Sequence, residues 1–159
     1  MELPDRVREF LAAHNTLTLA TVNDDGAPYA SDLFYVYADA AFYFLSAPQS
    51  RHAQNLTRDP RVSATIHCDA RGWQEIRGAQ MLGAAARVTN RAERARAFAA
   101  YLAKYAFVGG LLPRVEMLGR AHKIFGVVEL YKIAPRWLRW IDNAQEFGHK
   151  EEFTMTDDG

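Results

Sequence analysis

The hydrophobic pattern changes period along the chain, and each change marks an element. Leu3, Val7, Phe10 and Leu11 fall at i, i+4, i+7 and i+8, one face of a short amphipathic helix. Pro4 suits its first turn, where a missing N–H costs nothing. Residues 16–22 alternate and are rich in β-branched side chains, which predicts a strand. Asn23-Asp24-Asp25-Gly26 is a turn signal, because Gly26 can take positive φ and Asn or Asp tolerates it. Residues 29–37 and 42–46 predict two further strands, with Ala38-Asp39-Ala40-Ala41 as a tight connection. Three strands joined by short turns form an antiparallel meander.

After Ala47-Pro48-Gln49, Ser50 can cap a helix over 51–58, which Asp59-Pro60 ends. Residues 61–67 predict a fourth strand and 75–88 a long fifth, bent or bulged at Gly78 and Gly83. Asn90 with Glu93 reads as a capping box, and Phe98, Tyr101, Leu102 and Tyr105 repeat with helical period, so 91–105 is a helix. Gly109-Gly110 ends this region, a further helical turn falls at 113–119, and 123–133 is a sixth strand that Pro135 closes. The tail to Lys150 reads as irregular and 151–159 as loose, giving one domain over 1–150. The order is mainly β with α insertions. A six-stranded antiparallel barrel satisfies it best, because closure removes exposed edges. Strands one to three lack the crossover helices that a parallel sheet needs.

Composition narrows the partners. Lys+Arg and Asp+Glu are both 19, so the formal net charge is zero. That argues against a nonspecific nucleic-acid binder, which draws on excess positive charge. The single cysteine, Cys68, excludes an intramolecular disulfide and any Cys-pair metal site, and fits a reducing cytoplasm. No basic-then-apolar leader is visible, and the most apolar run, 106–112, is far shorter than the roughly 20 residues a spanning helix needs. The expectation is a cytoplasmic protein without membrane contact. The histidines show no metal-binding spacing, and there is no G-x-S-x-G elbow.

Three segments carry candidate chemistry. Ser46-Ala-Pro-Gln-Ser50-Arg51-His52 lies between a strand end and a helix start. Free N–H groups there attract anions, the serines give hydroxyl donors, and Arg51 gives a charged, bidentate contact. This suits a terminal phosphate, and an ordinary capped helix with exposed Arg and His would look the same. The aromatics of 34–37 and 42–44 fill a barrel or an interface, or form a slot for a flat ring. The tail 137–150 places Trp137, Trp140, Asp142 and Asn143 together, a composition that docks on something.

The order Thr18-Leu-Ala-Thr-Val22, Asp25-Gly26, Pro28-Tyr-Ala-Ser-Asp-Leu-Phe-Tyr-Val36, Phe42-Tyr-Phe-Leu-Ser46, Ser50-Arg51-His52, Asn55-Leu56 and Asp59-Pro60-Arg-Val62 resembles the pyridoxamine 5′-phosphate oxidase-like, FMN-binding split-barrel superfamily. The likeness covers roughly residues 10 to 140. Ile76-Arg-Gly-Ala-Gln80-Met-Leu-Gly83 and the ending Asp142-Asn143…Phe147-Gly148…Lys150 are similar to an uncharacterised bacterial YhbP-like subgroup of it. The resemblance implies a six-stranded split barrel and a homodimer with FMN at the subunit interface. It implies that Ser50, Arg51 and His52 hold the phosphate, with Ser46 near the ribityl chain. Ser31, Asp32 and Leu33 would run beside the isoalloxazine, and Gln80 would approach the flavin. Trp137 or Trp140 would come from the partner subunit. Asn143 matches the donors and acceptors of a flavin's pyrimidine edge, and Lys150 adds positive charge there. His52 stands where a lysine is usual, and the Arg and His pattern of the oxidase's C-terminus is absent from the tail. The resemblance therefore implies flavin binding rather than pyridoxamine phosphate oxidation itself. A flavin oxidoreductase, a non-enzymatic flavin-binding or storage protein, a haem or deazaflavin binder on the same fold, and a structural dimer all stay open.

Overall fold

The computed structural model describes residues 3–108 and 128–154. The features expected at Gly109-Gly110, 113–119 and 123–127 lie outside these residues. Helix α1 (Asp5–Ala13) is followed by strands β1 (Thr16–Val22), β2 (Pro28–Ala38) and β3 (Ala41–Ser46). Helix α2 (Arg51–Arg58), strands β4 (Arg61–His67) and β5 (Arg77–Arg87), helix α3 (Arg91–Lys104) and strands β6 (Glu129–Asp142) and β7 (Lys150–Thr154) complete the order. A 3-10 turn, Trp73–Glu75, leads into β5, which starts two residues later than its pattern suggests.

All pairings are antiparallel, in the order β3-β2-β1-β4-β5-β6, and β3 also pairs with β6. That last ladder closes a six-stranded barrel, as the edge argument required. Inside it, Leu17, Leu19, Tyr35, Phe42, Phe44, Ile66 and Ile133 are at most 1% exposed. α1 adds Val7, Phe10 and Leu11 to this core, and α2 adds Ala53 and Leu56. A second core lies outside the barrel, where α3 places Ala97, Tyr101 and Tyr105 against Val36, Tyr43 and Leu130. The aromatic strands therefore divide by alternation: Tyr35, Phe42 and Phe44 fill the barrel, and Tyr43 faces α3.

The C-terminal third differs from the expectation. Pro135 does not close β6, which runs on to Asp142 and pairs with β5 throughout. Pro135 sits opposite Gly83, where the ladder shifts register, so its missing N–H falls at a bulge. Lys150–Thr154, within the segment read as irregular and loose, forms β7 against Trp137–Ile141 of β6. The sequence Lys-Glu-Glu-Phe-Thr hid this return strand, because it opens on three consecutive charges and has no apolar alternation.

The β2–β3 hairpin carries a local cost. Asp39 (φ 48°) and Ala40 (φ 57°) both adopt the left-handed conformation that a two-residue turn of this twist demands. Asp tolerates it, but Ala lacks a compensating side-chain bond. Ala40→Gly is expected to stabilise the protein by about 0.5–1 kcal/mol after the entropy gained by the unfolded chain is counted. A denaturant midpoint that does not rise would show that the turn is not strained.

Candidate functional site

The site is built where the barrel opens. β2 stays paired with β1 down to Pro28, but its ladder with β3 covers only Tyr35/Phe44 to Ala38/Ala41. Beyond Phe44, β3 leans on β6 instead, with Ser46 opposite Glu129. The two neighbouring strands thus diverge, and Ser31 and Ser46 stand on either side of the split. Ser31 shares the inward face of its cross-strand partner Leu19.

α2 starts at the mouth of this split because Ser50 caps it, accepting from the Ala53 amide at 3.4 Å. His52, on its first turn, reaches across the gap. Its Nδ1 lies 3.2 Å from Ser31 Oγ, and its Nε2 lies 2.6 Å from Ser46 Oγ and 3.1 Å from Ser50 Oγ. Ser46 and Ser50 are 3.0 Å apart. His52 is 8% exposed and Ser46 7%. Burial holds the imidazole below its ordinary pKa, because removing it from water penalises the charged ring. Arg51 lies beside the cluster, exposed, with no hydrogen bond or ion pair to any described residue. The amides of Arg51 and His52, as first-turn groups, have no intrahelical acceptor.

The edge of β2 supplies a second set of groups. The Tyr35 amide donates to Asn15 O, towards β1. By alternation, the backbone groups of Ala30, Asp32 and Phe34 point away from β1 into the split. All three residues are exposed. The result is a row of donors and acceptors running up to the serine–histidine cluster.

The expected site residues separate into groups. Ser31, Ser46, Ser50 and His52 converge, with Arg51 at their side. Leu33 packs against the barrel core. The Asp32 carboxylate turns to the outer face and accepts from Thr18 Oγ1 at 2.6 Å. Gln80 lies on the same outer face, in the register row Asp32, Thr18, Thr65, Gln80, Arg139. Three strand spacings, about 14 Å, separate it from Asp32. Trp137 is also on this face, stacked under Arg139 at 4.9 Å and donating to Glu152 Oε2 at 3.3 Å. Lys150 is exposed at the start of β7.

Trp140 and Asn143 do not join the cluster. Trp140 is 2% exposed inside its own barrel, edge-on to Phe10, so its ring has no face left for a flavin. Its Nε1 has no hydrogen-bond partner. Asn143 is spent locally: it donates to Trp73 O, accepts from the Gly148 amide, and its own amide donates to Ile76 O. It ties the β6–β7 turn to the segment before β5. Residue alternation along 137–142 carried the signal for Trp140, once the strand was known to continue past Pro135.

One supporting residue was missed as such. Asn55, 2% exposed, donates from Nδ2 to Thr21 Oγ1 and Asn23 Oδ1, both at 3.0 Å. It pins α2 to the β1–β2 hairpin and so fixes where the helix start points. A buried asparagine in the middle of a short helix was the available signal, since such a group needs partners.

The pyridoxamine 5′-phosphate oxidase family profile matches residues 3–139. The chain belongs to the pyridoxamine 5′-phosphate oxidase family. Within that family it is similar to UPF0306 proteins. One from Klebsiella pneumoniae is 26% identical over 94% of this chain and 92% of its own length. One from Photorhabdus laumondii is 30% identical over 48% of this chain, and the match spans about half (54%) of that relative. Solved structures show the same barrel. A conserved hypothetical protein from Mycobacterium tuberculosis superposes with TM-score 0.73 at 23% identity, covering all of this chain and 94% of that one. A haem-binding protein from Mycobacterium smegmatis gives 0.70 at 23% identity, over 97% of this chain and 60% of that one. The haem storage protein HutZ from Vibrio cholerae gives 0.66 at 21% identity, over 97% and 95%. These likenesses establish the family's split-barrel fold. Among the described residues no helix is long and apolar enough to cross a membrane.

Proposed function

We propose that this protein binds FMN in the split between β2 and β3 and acts as a flavin-dependent oxidoreductase on a small molecule. The observation that carries the reading is the convergence of Ser31, Ser46, Ser50 and His52 at the start of α2, next to Arg51, which has no partner among the described residues. A phosphate needs hydroxyls, amides and positive charge, and all three are gathered there. A flat heterocycle with donors and acceptors along its rim needs a matching edge, and the backbone of 30–34 offers one. The residues present therefore fit FMN. When bound, FMN supplies two-electron redox chemistry. The chain's part is to hold the phosphate and orient the ring.

The haem proteins among the structural neighbours favour a second reading, a haem binder on this fold. Two described histidines fit it poorly. Both nitrogens of His52 face serines, and His14 lies stacked on Phe10 with its Nδ1 against Phe10 O at 2.8 Å. The absorption spectrum and mass of the ligand that co-purifies test the choice. Flavin bands and the mass of FMN are expected, and a Soret band would overturn the FMN reading. Reduction of the bound flavin by NADH or NADPH in stopped flow is expected for an oxidoreductase. A flavin that no reductant or substrate turns over would make this a flavin-binding or storage protein.

The reading includes a homodimer with FMN at the subunit interface. On the outer barrel face Leu82 is 51% and Val22 37% exposed. Both line a cavity of about 350 Å³ with Ala20, Pro28 and Arg136. Uncovered apolar surface of this kind suits a second copy. Light scattering is expected to give a dimer whose dissociation releases the flavin. A monomer holding stoichiometric flavin would overturn this part.

A further inference from the structure

The imidazole of His52 is the hub of its cluster. Three serine hydroxyls meet at its two nitrogens, from β2 (Ser31), β3 (Ser46) and the cap of α2 (Ser50). A neutral imidazole has one N–H and one lone pair. In either tautomer the lone pair takes one serine hydroxyl proton. An imidazolium has two N–H groups and no lone pair. It donates to the serine oxygens and takes no proton from them, so every hydroxyl can turn outward.

Among the described residues, the surroundings give the charged ring no counter-ion. On β2, the Asp32 carboxylate next to Ser31 lies on the outer face with Thr18. On β6, Glu129 opposite Ser46 is occupied by Arg87 and Arg94. On β3, Phe44 presents its ring to the imidazole at 6.2 Å, edge to face. On α2, Arg51 is exposed, and Arg58 at the far end donates to Val22 O. Such surroundings favour a neutral ring, in line with the lowered pKa. An anion at the start of α2 reverses the balance, because it supplies the missing negative charge and uses the hydroxyls that protonation releases.

We propose that His52 is a positioning residue that couples anion binding at this site to the uptake of one proton by its imidazole. The inference rests on the flavin-phosphate reading above. The serines and Arg51 touch the phosphate, and His52 acts through the serines by deciding which way their protons point. Binding and protonation then strengthen each other reciprocally. The FMN phosphate is already a dianion above its second pKa of about 6, so its own titration does not mask the effect at higher pH.

Calorimetric titration of the ligand-free protein at pH 7.5, in phosphate-free buffers of different ionisation enthalpy, counts the protons. FMN, riboflavin and inorganic sulfate are the probes. Uptake of roughly 0.5–1 proton per FMN is expected, and none with riboflavin. FMN affinity is expected to fall by up to about tenfold per pH unit above pH 7.5. His52→Gln keeps one donor and one acceptor but cannot charge, so it should bind FMN more weakly with no proton uptake. FMN binding without proton exchange, or equal uptake by wild type and His52→Gln, would overturn the coupling and leave the flavin reading intact. Sulfate bound with proton uptake while FMN fails to bind would leave the coupling standing and overturn the flavin reading. Failure of both probes to bind would overturn both.

Discussion

Replacing Gly83 with alanine is expected to cost about 3 kcal/mol or more of stability, the upper end for forced overpacking. A Cβ at this position would lie 2.3 Å from Ala134 O and 3.0 Å from Pro135 Cα. Both are backbone atoms of the strand paired with it, so neither can swing aside as a side-chain tip would. The clash falls at the register shift between Leu82 and Gly83 in the β5–β6 ladder. Relief requires the strands to separate, which strips the ladder that buries Met81 and Leu138. Gly26→Ala is the control. Its Cβ would meet nothing within 4 Å, and the only penalty is a φ of +84°, worth roughly 1–2 kcal/mol. Chemical denaturation of both variants checks the difference. A Gly83→Ala midpoint equal to wild type would show that the bulge tolerates a side chain.

Arg51→Ala is expected to weaken FMN by one to two decades while leaving riboflavin unchanged. The side chain is exposed and has no partner among the described residues, so its removal should move stability by no more than about 0.5 kcal/mol. Arg51 is the first residue of α2, and the only feature FMN has and riboflavin lacks is the phosphate. Losing one charge-assisted pair costs about 1.5–3 kcal/mol, and each 1.4 kcal/mol is tenfold in affinity. Fluorescence titration of the two flavins against wild type and variant reads the split directly. Equal losses for both flavins would move Arg51 away from the phosphate, and no loss for either would remove it from the site.

Much of the fold was legible in order of residues alone. β1, α2 and β4 have the bounds their patterns predict, because alternation, a capping serine and a helix-ending Asp-Pro are local signals. The same holds for the Asn90 cap, whose Oδ1 accepts from the Glu93 amide at 2.9 Å. The serine-rich start of α2 was legible as a candidate anion site for the same reason, since strand end, cap and charged residues are contiguous. The long β6 and the β7 return were not. A proline at a bulge is neutral only when a particular glycine lies opposite it, and that pairing joins residues 52 apart in the chain, 83 and 135.

Side-chain direction was the other matter that only the tertiary structure decided. The residues from 46 to 52 predicted donors for a phosphate, but not that His52 turns inward. That orientation exists because β2 and β3 part beyond Tyr35 and leave a gap that one imidazole spans. Trp140 and Asn143 had the composition of a ligand-covering tail. Their fate depended on whether β6 carried Trp140 under α1 and whether the turn before β5 offered carbonyls to Asn143. Local sequence determines which groups a segment can offer. Which of them remain unspent depends on long-range pairing, because a buried donor or acceptor bonds to the partner the fold brings nearest.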